Sequence, residues 1–566
     1  MKIQLSFYKK ALGRLVVCCL LYPLGLRAQS VDTVRCWDVY EIYLQSDRQM
    51  ENPYAQTISP RDSGAPYLTA VFRGVSGEAA GHRMVLTGFW DGNHVWKVRF
   101  APPRPGVWEY RTVSGDEGLN GKKGTLFARK ATPQELQSDP LYHGFIYVAK
   151  NGRNFRYADD TPFFWVGDTW WAWADKRIKF QSFKRLADDR SAKGFTVGQM
   201  YINQLKFKGA SAHPDFDFIH QTEDFIRYAN KKGIVVCVSG LWGGKVTSAA
   251  AAENRRWWKY LVSRLQAYNV VWMVASEYNM NNYGGAGLGY WKALGRLVKD
   301  QDPYKRITSF HNTPPNWRGG TQGDSRQWST AAVLDQESWL DYNQTQLGHG
   351  KFRNEMAPVV VANAYAHRPV KPIVVTEPWY EFIPGSAPAM DIRFAFWSSF
   401  LSGAAGITYG GGHIWWAYLP DNHEKSLKDM GGFPLDSNLH ANTLDYPGAQ
   451  SVSFMAKFLS GKHWWEWRPH PELVLDYPAR FCKADPGKEY LVYLRYGGDF
   501  RLDLRAAGNR PLHYRWIDLV TLKTKDGDVQ GGGLRQFWNP RDYPGNRPYH
   551  DCLLYVTAAG PENAGR

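Results

Sequence analysis

The chain has 566 residues, 44% hydrophobic and 15% aromatic, with 69 Lys and Arg against 53 Asp and Glu, a formal charge of +16. That length exceeds what one hydrophobic core serves and implies two or three domains. The basic balance comes with no dense Lys/Arg run, zinc-finger spacing or phosphate-binding loop, so it speaks against a nucleic-acid partner and reads as a diffuse solvated excess, with an acidic glycan the partner a basic surface would suit.

At the start, Lys2, Lys9, Lys10 and Arg14 precede an apolar run over 15–26 and then Arg27-Ala28-Gln29. This is the pattern of a secretory signal peptide cleaved near Ala28, so the product is expected to be exported, periplasmic or extracellular. Cleavage after residue 28 removes five cations and no acid, which leaves a formal charge of +11. Neither Cys18 nor Cys19 follows the small residue of a lipoprotein signal, which favours a soluble product. No later stretch has the roughly 18 consecutive apolar residues of a membrane span.

Residues 29–135 alternate short β-rich runs (38–44, 68–72, 95–100 and 106–111) with turns, the signature of a sandwich. Over 136–454 the text changes to short apolar strands separated by helical stretches at 183–193, 218–232, 254–268 and 291–300. Eight strands are expected, near 163–166, 196–202, 234–239, 270–276, 306–310, 340–345, 373–376 and 406–409. Strands alternating with helices imply a parallel sheet, and eight such units imply a (β/α)8 barrel. From 455 to 566 β-rich text returns, at 473–475, 489–494, 502–504, 514–518 and 552–556, predicting a second small sandwich.

Four cysteines follow the signal: Cys36, Cys237, Cys482 and Cys552. Their spacing fits no zinc pattern. Cys237, inside an apolar run, reads as a core residue, whereas Cys482 and Cys552 share the terminal region and are candidates for a disulfide.

The strand ends carry the chemistry. Glu277 follows the fourth strand in Val270-Val271-Trp272-Met273-Val274-Ala275-Ser276-Glu277, and Glu377 ends the seventh in Ile373-Val374-Val375-Thr376-Glu377. In such barrels the C-terminal strand ends form the active rim. The same rim gathers Asp168, Trp170, Trp171, Asn203, Trp242, Asn279, His311, Asn312, Trp379, Tyr380, Tyr409, Trp415 and Trp416. Indoles beside amides and carboxylates suit a sugar ring, whose CH face stacks on aromatics while its hydroxyls need donors and acceptors.

Gly167-Asp168-Thr169-Trp170-Trp171, Thr376-Glu377-Pro378-Trp379-Tyr380-Glu381, and Arg393-Phe394-Ala395-Phe396-Trp397 with Gly403-Ala404-Ala405-Gly406-Ile407-Thr408-Tyr409-Gly410 resemble the apiosidase-like (β/α)8 glycoside hydrolases. In that group a collagen-binding-type sandwich often follows the barrel. The stretch from Gly88 to Trp108 is similar to the β-sandwich domain that commonly precedes it. One departure stands out: where the group's pattern has an aspartate after two glycines, this chain has Ala275-Ser276-Glu277. A glutamate there is closer to the broad retaining clan of barrel glycosidases, so apiose is not implied as the sugar.

The resemblance implies a secreted glycosidase using double displacement, with Glu277 as acid/base and Glu377 as nucleophile. No metal or cofactor is called for. Asp168 would bind sugar hydroxyls or cap the following helix; Asn203, His311 and Asn312 would orient sugar or nucleophile, or be satisfied strand-end groups. About half of the six tryptophans are expected to touch ligand. Asn279, Tyr380 and Tyr409 complete the set of sugar contacts, Arg393 is a candidate for keeping Glu377 charged, and Glu381 for supporting it. Two other classes stay open: a non-catalytic carbohydrate-binding protein, and a polysaccharide lyase with Tyr201 or His311 as base.

Overall fold

Eight parallel strands, buried along almost their whole length, form a nearly closed barrel in the computed structural model, which describes residues 31–56, 67–208, 211–315, 328–383, 387–419, 443–539 and 550–558. They are β1 (Trp165–Thr169), β2 (Val197–Tyr201), β3 (Val235–Ser239), β4 (Val270–Met273), β5 (Thr308–Ser309), β6 (Asn343–Gln346), β7 (Ile373–Glu377) and β8 (Gly406–Tyr409). Each pairs with its sequence neighbour and β1 pairs with β8, except that no ladder joins β5 to β6 among the described residues. That seam is bridged instead by Asp341 N to Thr308 O (3.0 Å), Ser309 Oγ to Tyr342 O (2.7 Å) and Thr308 N to Asp341 Oδ2 (2.8 Å). The proposed signal peptide lies outside the described residues.

Strands buried on both faces need apolar residues at every position, which is why their runs were readable. The inward set includes Trp165, Val197, Val235, Cys237, Val271, Met273, Ile307, Tyr342 and Val374, and Ile146, Phe155, Tyr157 and Phe163 from a small antiparallel sheet join the same cluster. Helices Phe180–Ala192, Phe216–Lys231, Ala251–Leu265 and Leu288–Gln301 occupy the four expected stretches. Asp215 starts the second by accepting from Phe218 N, satisfying one of the donors a helix start leaves unpaired.

Antiparallel sheets flank the barrel. On the N-terminal side a five-stranded sheet faces a three-stranded one, and Phe72 of the first stacks on Phe100 of the second with ring centres 4.1 Å apart. A buried ion network fastens this unit to barrel helices. Glu223 accepts from Arg99 Nη2 (3.0 Å) and from Arg264 Nε (2.6 Å), and Arg264 also pairs with Asp91. Burial pushes the Glu223 carboxyl up, but the two guanidiniums outweigh it and hold it at about 2.

On the C-terminal side, sheets of six and three strands form the second β-rich unit. Helix Pro447–Leu459 packs on helix Ala389–Leu401 and runs across the boundary expected at 454. Two expectations are corrected here. Cys482 and Cys552 are free and buried; the strand Glu489–Leu494 lies between theirs, and thiols two strands apart cannot meet bridging geometry. Arg393 does not serve Glu377: it is bonded to Asp551 of the C-terminal unit by Nε (2.7 Å) and Nη2 (2.7 Å).

The same interface buries Lys483, only 7% exposed, with Nζ 3.9 Å above the Phe400 ring. No carboxylate pairs with it among the described residues. Burial, with some repulsion from Arg468, pushes its ammonium down to about 7.

Candidate active site

Glu277 and Glu377 stand at the C-terminal end of the barrel, both 6% exposed. Glu377 is the last residue of β7, in register with Gln346 of β6. Glu277 lies past β4 with φ of 49°, a left-handed conformation that non-glycine residues seldom adopt and that accompanies functional sites. Its backbone is held from β3's side: Ser276 bridges Trp242, and Gly243 N donates to Ser276 O at 2.7 Å. A Cβ on Gly243 would come within 2.1 Å of the Glu277 carbonyl oxygen, so only glycine permits this approach.

Two arcs of side chains link the glutamates. In one, Trp242 Nε1 donates to Glu277 Oε2 at 3.0 Å, Trp242 meets Trp171 edge-on at 6.1 Å, and Trp171 Nε1 donates to Tyr380 OH at 2.8 Å. The Tyr380 hydroxyl in turn donates to Glu377. In the other, Gln346 Nε2 donates to Glu277 Oε1 at 3.4 Å from its place beside Glu377.

Two imidazoles face Glu377: His311 Nε2 at 3.3 Å and His349 Nε2 at 3.5 Å. His311 Nδ1 lies 2.9 Å from Thr376 Oγ1, which is 3.2 Å from Thr345 O. The Thr376 hydroxyl donates to Thr345 O, and His311 Nε2 stands within ion-pairing distance of Glu377 Oε2. Burial pushes the Glu377 carboxyl up, but His311, His349 and the Tyr380 hydroxyl outweigh it and hold the group below the ordinary range. It is therefore ionised at neutral pH. Burial lowers His349, partly countered by Glu377, whereas burial and Glu377 raise Tyr380 well above the usual phenol, keeping it a donor.

The remaining sequence candidates divide. Trp171, Trp242, His311 and Tyr380 surround the carboxylates as described. Asn203, half-buried, is hydrogen-bonded to Tyr201, whose ring meets Trp242 at 5.7 Å. Asn279 Oδ1 accepts from Thr313 N, Asn312 ties β5 to Gln346 through its main chain, and half-buried Trp415 meets Trp416 at 5.1 Å. Trp379 is buried, and its indole N–H has no partner among the described residues.

Three others lie beneath the rim. Asp168 is fully buried, bonded to Arg190 Nε (2.6 Å) and Trp170 Nε1 (3.1 Å), so it neither reaches sugar nor caps a helix. Trp170 is core, packed on Phe183. Tyr409 is fully buried and donates to Glu381, which also accepts from Gly448 N and is thus engaged away from Glu377. Gln346 and His349 were missed by sequence reasoning. The signal was available in Gln346-Leu347-Gly348-His349-Gly350, directly after the sixth strand, the zone that had supplied the other candidates.

Among the described residues no group of His, Cys, Asp and Glu could hold a metal ion, and no helix is long and apolar enough to cross a membrane. A nearly buried carboxylate pair in unlike surroundings, walled by indoles and amides, is equipped for acid/base and nucleophilic work on a sugar.

Comparison with known proteins agrees. Residues 149–466 match the family model described as "Apiosidase-like, catalytic domain", and residues 33–115 match a domain of unknown function, DUF5060. No curated protein matches the chain. Among solved structures, one described as a glycoside hydrolase is 20% identical, with 75% of this chain covering 99% of it at a TM-score of 0.62. A glycoside hydrolase family 5 protein from Bacteroides vulgatus ATCC 8482 is 18% identical, with 75% of this chain covering 95% of it at a TM-score of 0.62. A further protein of that bacterium is 20% identical and aligns over 93% of this chain and 99% of its own length, at a TM-score of 0.64. These likenesses share the fold, while the family match spans more than half of the sequence: the chain belongs to the apiosidase-like family and is a glycoside hydrolase.

Proposed function

We propose that this glycoside hydrolase is exported by residues 1–28 and cleaves a glycan with retention of configuration, Glu377 attacking the anomeric carbon and Glu277 serving as acid and then base. The observation that supports the division is the unlike company of the two acids. Glu377 receives a hydrogen bond from a phenol and faces two imidazoles, whereas Glu277 meets an indole N–H and an amide. The first setting stabilises a carboxylate; the second suits an acid that changes protonation state during turnover.

In the first step the Glu377 carboxylate forms a bond to the anomeric carbon as the glycosidic bond breaks, and the Glu277 proton goes to the leaving oxygen. Water then attacks that carbon, its proton passing to Glu277, and Glu377 departs as carboxylate. Trp171 and Trp242 offer the aromatic edges along which the ring would lie. The basic balance of the chain makes acidic glycans the first to screen.

The test uses Glu377→Gln and Glu277→Gln on a substrate found by screening plant, algal and host glycans. Glu377→Gln should lose at least about 1,000-fold in kcat, whereas Glu277→Gln should keep far more activity on aryl glycosides whose leaving groups need no proton. NMR of the fresh product should show the retained anomer. An inverted product would sink double displacement, an ultraviolet-absorbing unsaturated uronate would make the protein a lyase, and full activity in both variants would remove the assignment.

A further inference from the structure

A cavity of about 280 Å³ opens at the other end of the barrel, between the N-terminal sandwich and the barrel wall. It lies at the lower end of the roughly 300–1,000 Å³ typical of small-molecule sites, enough for one sugar ring. Its lining includes Trp37, Asp139, Tyr142, Tyr268 and Asn269. Asn269 directly precedes β4, and Glu277 lies beyond the opposite end of that strand, so the two sites are separated by the length of the barrel. We propose that this cavity is a second carbohydrate-binding site, taking a neutral pyranose unit of the glycan.

Three observations converge. Asn269 is 6% exposed, yet its side-chain Oδ1 has no partner among the described residues. The main chain of Asn269 is already tied to Asn230, by N to Asn230 Oδ1 and by O from Asn230 Nδ2, both 3.0 Å. The amide oxygen is therefore a desolvated acceptor that the fold does not use, and buried polar groups of that kind ordinarily find a partner. A sugar hydroxyl supplies one.

Trp37 holds φ at 70°, unfavourable for so bulky a residue, with its N–H on Pro102 O (3.0 Å) and its ring against Phe145 (5.0 Å). The indole N–H of Trp37 and the hydroxyls of Tyr142 and Tyr268 donate to no other group among the described residues. With Asn269 Oδ1 and the Asp139 carboxylate, whose Oδ1 already accepts from Leu141 N, they give the cavity donors, acceptors and aromatic surface together, the mixture a pyranose requires.

The third observation is charge. Arg35 is bonded to Asp38 and Glu135, and Arg227 is paired with Asp224. Lys231 and Asp139, which also line the cavity, add one charge of each sign, so the lining carries no excess of cations to favour a phosphate or uronate over a neutral sugar. Resting on the glycosidase reading above, the site would hold a distant stretch of the glycan whose hydrolysed end lies among the glutamates.

The test is saturation-transfer NMR on the full mature chain carrying Glu377→Gln, with the methyl pyranosides of glucose, galactose, mannose and xylose, and methyl galacturonoside as the charged control. At least one neutral probe should bind, and Asn269→Ala and Trp37→Ala should each weaken that binding fivefold or more, whereas Trp242→Ala should leave it unchanged. Because Trp37 is packed, melting curves must show each variant folded, and Asn269→Ala, which removes no internal hydrogen bond of Oδ1, is decisive if Trp37→Ala is not. No binding by any neutral probe, binding abolished only by Trp242→Ala, or preference for the galacturonoside would overturn the proposal. Failure of the glycosidase reading is seen separately, as activity persisting in the two glutamine variants. In the otherwise native enzyme Asn269→Ala should leave kcat on a short aryl glycoside unchanged.

Discussion

Replacing Lys483 with methionine removes a positive charge that the fold has to neutralise before it can close. In the folded chain the amine sits over Phe400 without a carboxylate partner among the described residues and has been pushed down to about 7 from its ordinary 10.5. The unfolded chain therefore binds more protons between those values, so the stability of the native protein rises as pH goes from about 7 to 10.5 and the contribution is flat outside that window. At pH 7 the penalty relative to a non-titrating side chain is about 4 kcal/mol, since each tenfold loss of proton affinity on folding corresponds to about 1.36 kcal/mol and half the folded molecules carry the proton there. Methionine has similar reach and keeps the contact with Phe400, so Lys483→Met should stabilise the C-terminal unit against the barrel at pH 7 by up to that amount. The assay is urea unfolding of parent and variant from pH 6.5 to 10. The difference between them should shrink by a little over 1 kcal/mol per pH unit above pH 8. A difference that stays constant across the range would refute this, since it would mean that Lys483 keeps an ordinary protonation equilibrium despite its burial.

Glu223→Gln should cost about 3–5 kcal/mol at pH 7, because it leaves the buried guanidiniums of Arg99 and Arg264 short of their counter-charge. The native carboxyl is held at about 2, below its ordinary 4.5, so its contribution is present above pH 4.5 and is lost as pH falls toward 2. Chemical unfolding at pH 7 and pH 3 should show the gap narrowing. His349→Ala removes a group that lowers Glu377, so the acid limb of the kcat/KM profile should move to higher pH; an unmoved limb would separate His349 from the nucleophile. Trp242→Phe keeps the ring edge against Trp171 but deletes the N–H on Glu277, and should lower kcat by about 10-fold to 100-fold with little change in melting temperature. Gly243→Ala should lower kcat at least as far and cost about 1–3 kcal/mol, since a methyl group there collides with the Glu277 backbone; unaltered kinetics would mean that this approach is not tightly held.

The barrel was legible because burial on both faces writes itself into every residue of a strand. β7 and β8 begin where their apolar runs begin. β5 was expected over 306–310, yet only Thr308–Ser309 pair as strand, because extent depends on what a neighbouring strand offers. The rim was legible only as a list of residue types at strand ends. Glu277 and Glu377 project among aromatic neighbours, but Asp168, Tyr409 and Arg393 carry equally polar groups and turn to partners that local text does not reveal. Asp168 finds Arg190, Tyr409 finds Glu381, and Arg393 finds Asp551 in another part of the chain. A buried ion pair and a ligand-facing group look alike until both partners are known. His349 failed to register for the opposite reason: it sits in a loop, where no periodicity marks it, and its role comes from the carboxylate it faces.

The gap in the barrel ladder between β5 and β6 has a bearing on this pair of glutamates. The two strands that lack a ladder are the ones leading to His311 and to Gln346, the first touching Glu377 and the second Glu277. Individual bonds at Asp341, Ser309 and between Asn312 and Gln346 hold that join. The span of wall between the two carboxylates thus includes a join made by individual hydrogen bonds rather than by strand pairing among the described residues. Widening or tightening that join offers evolution, or an engineer, a way to tune the gap between nucleophile and acid without touching either residue.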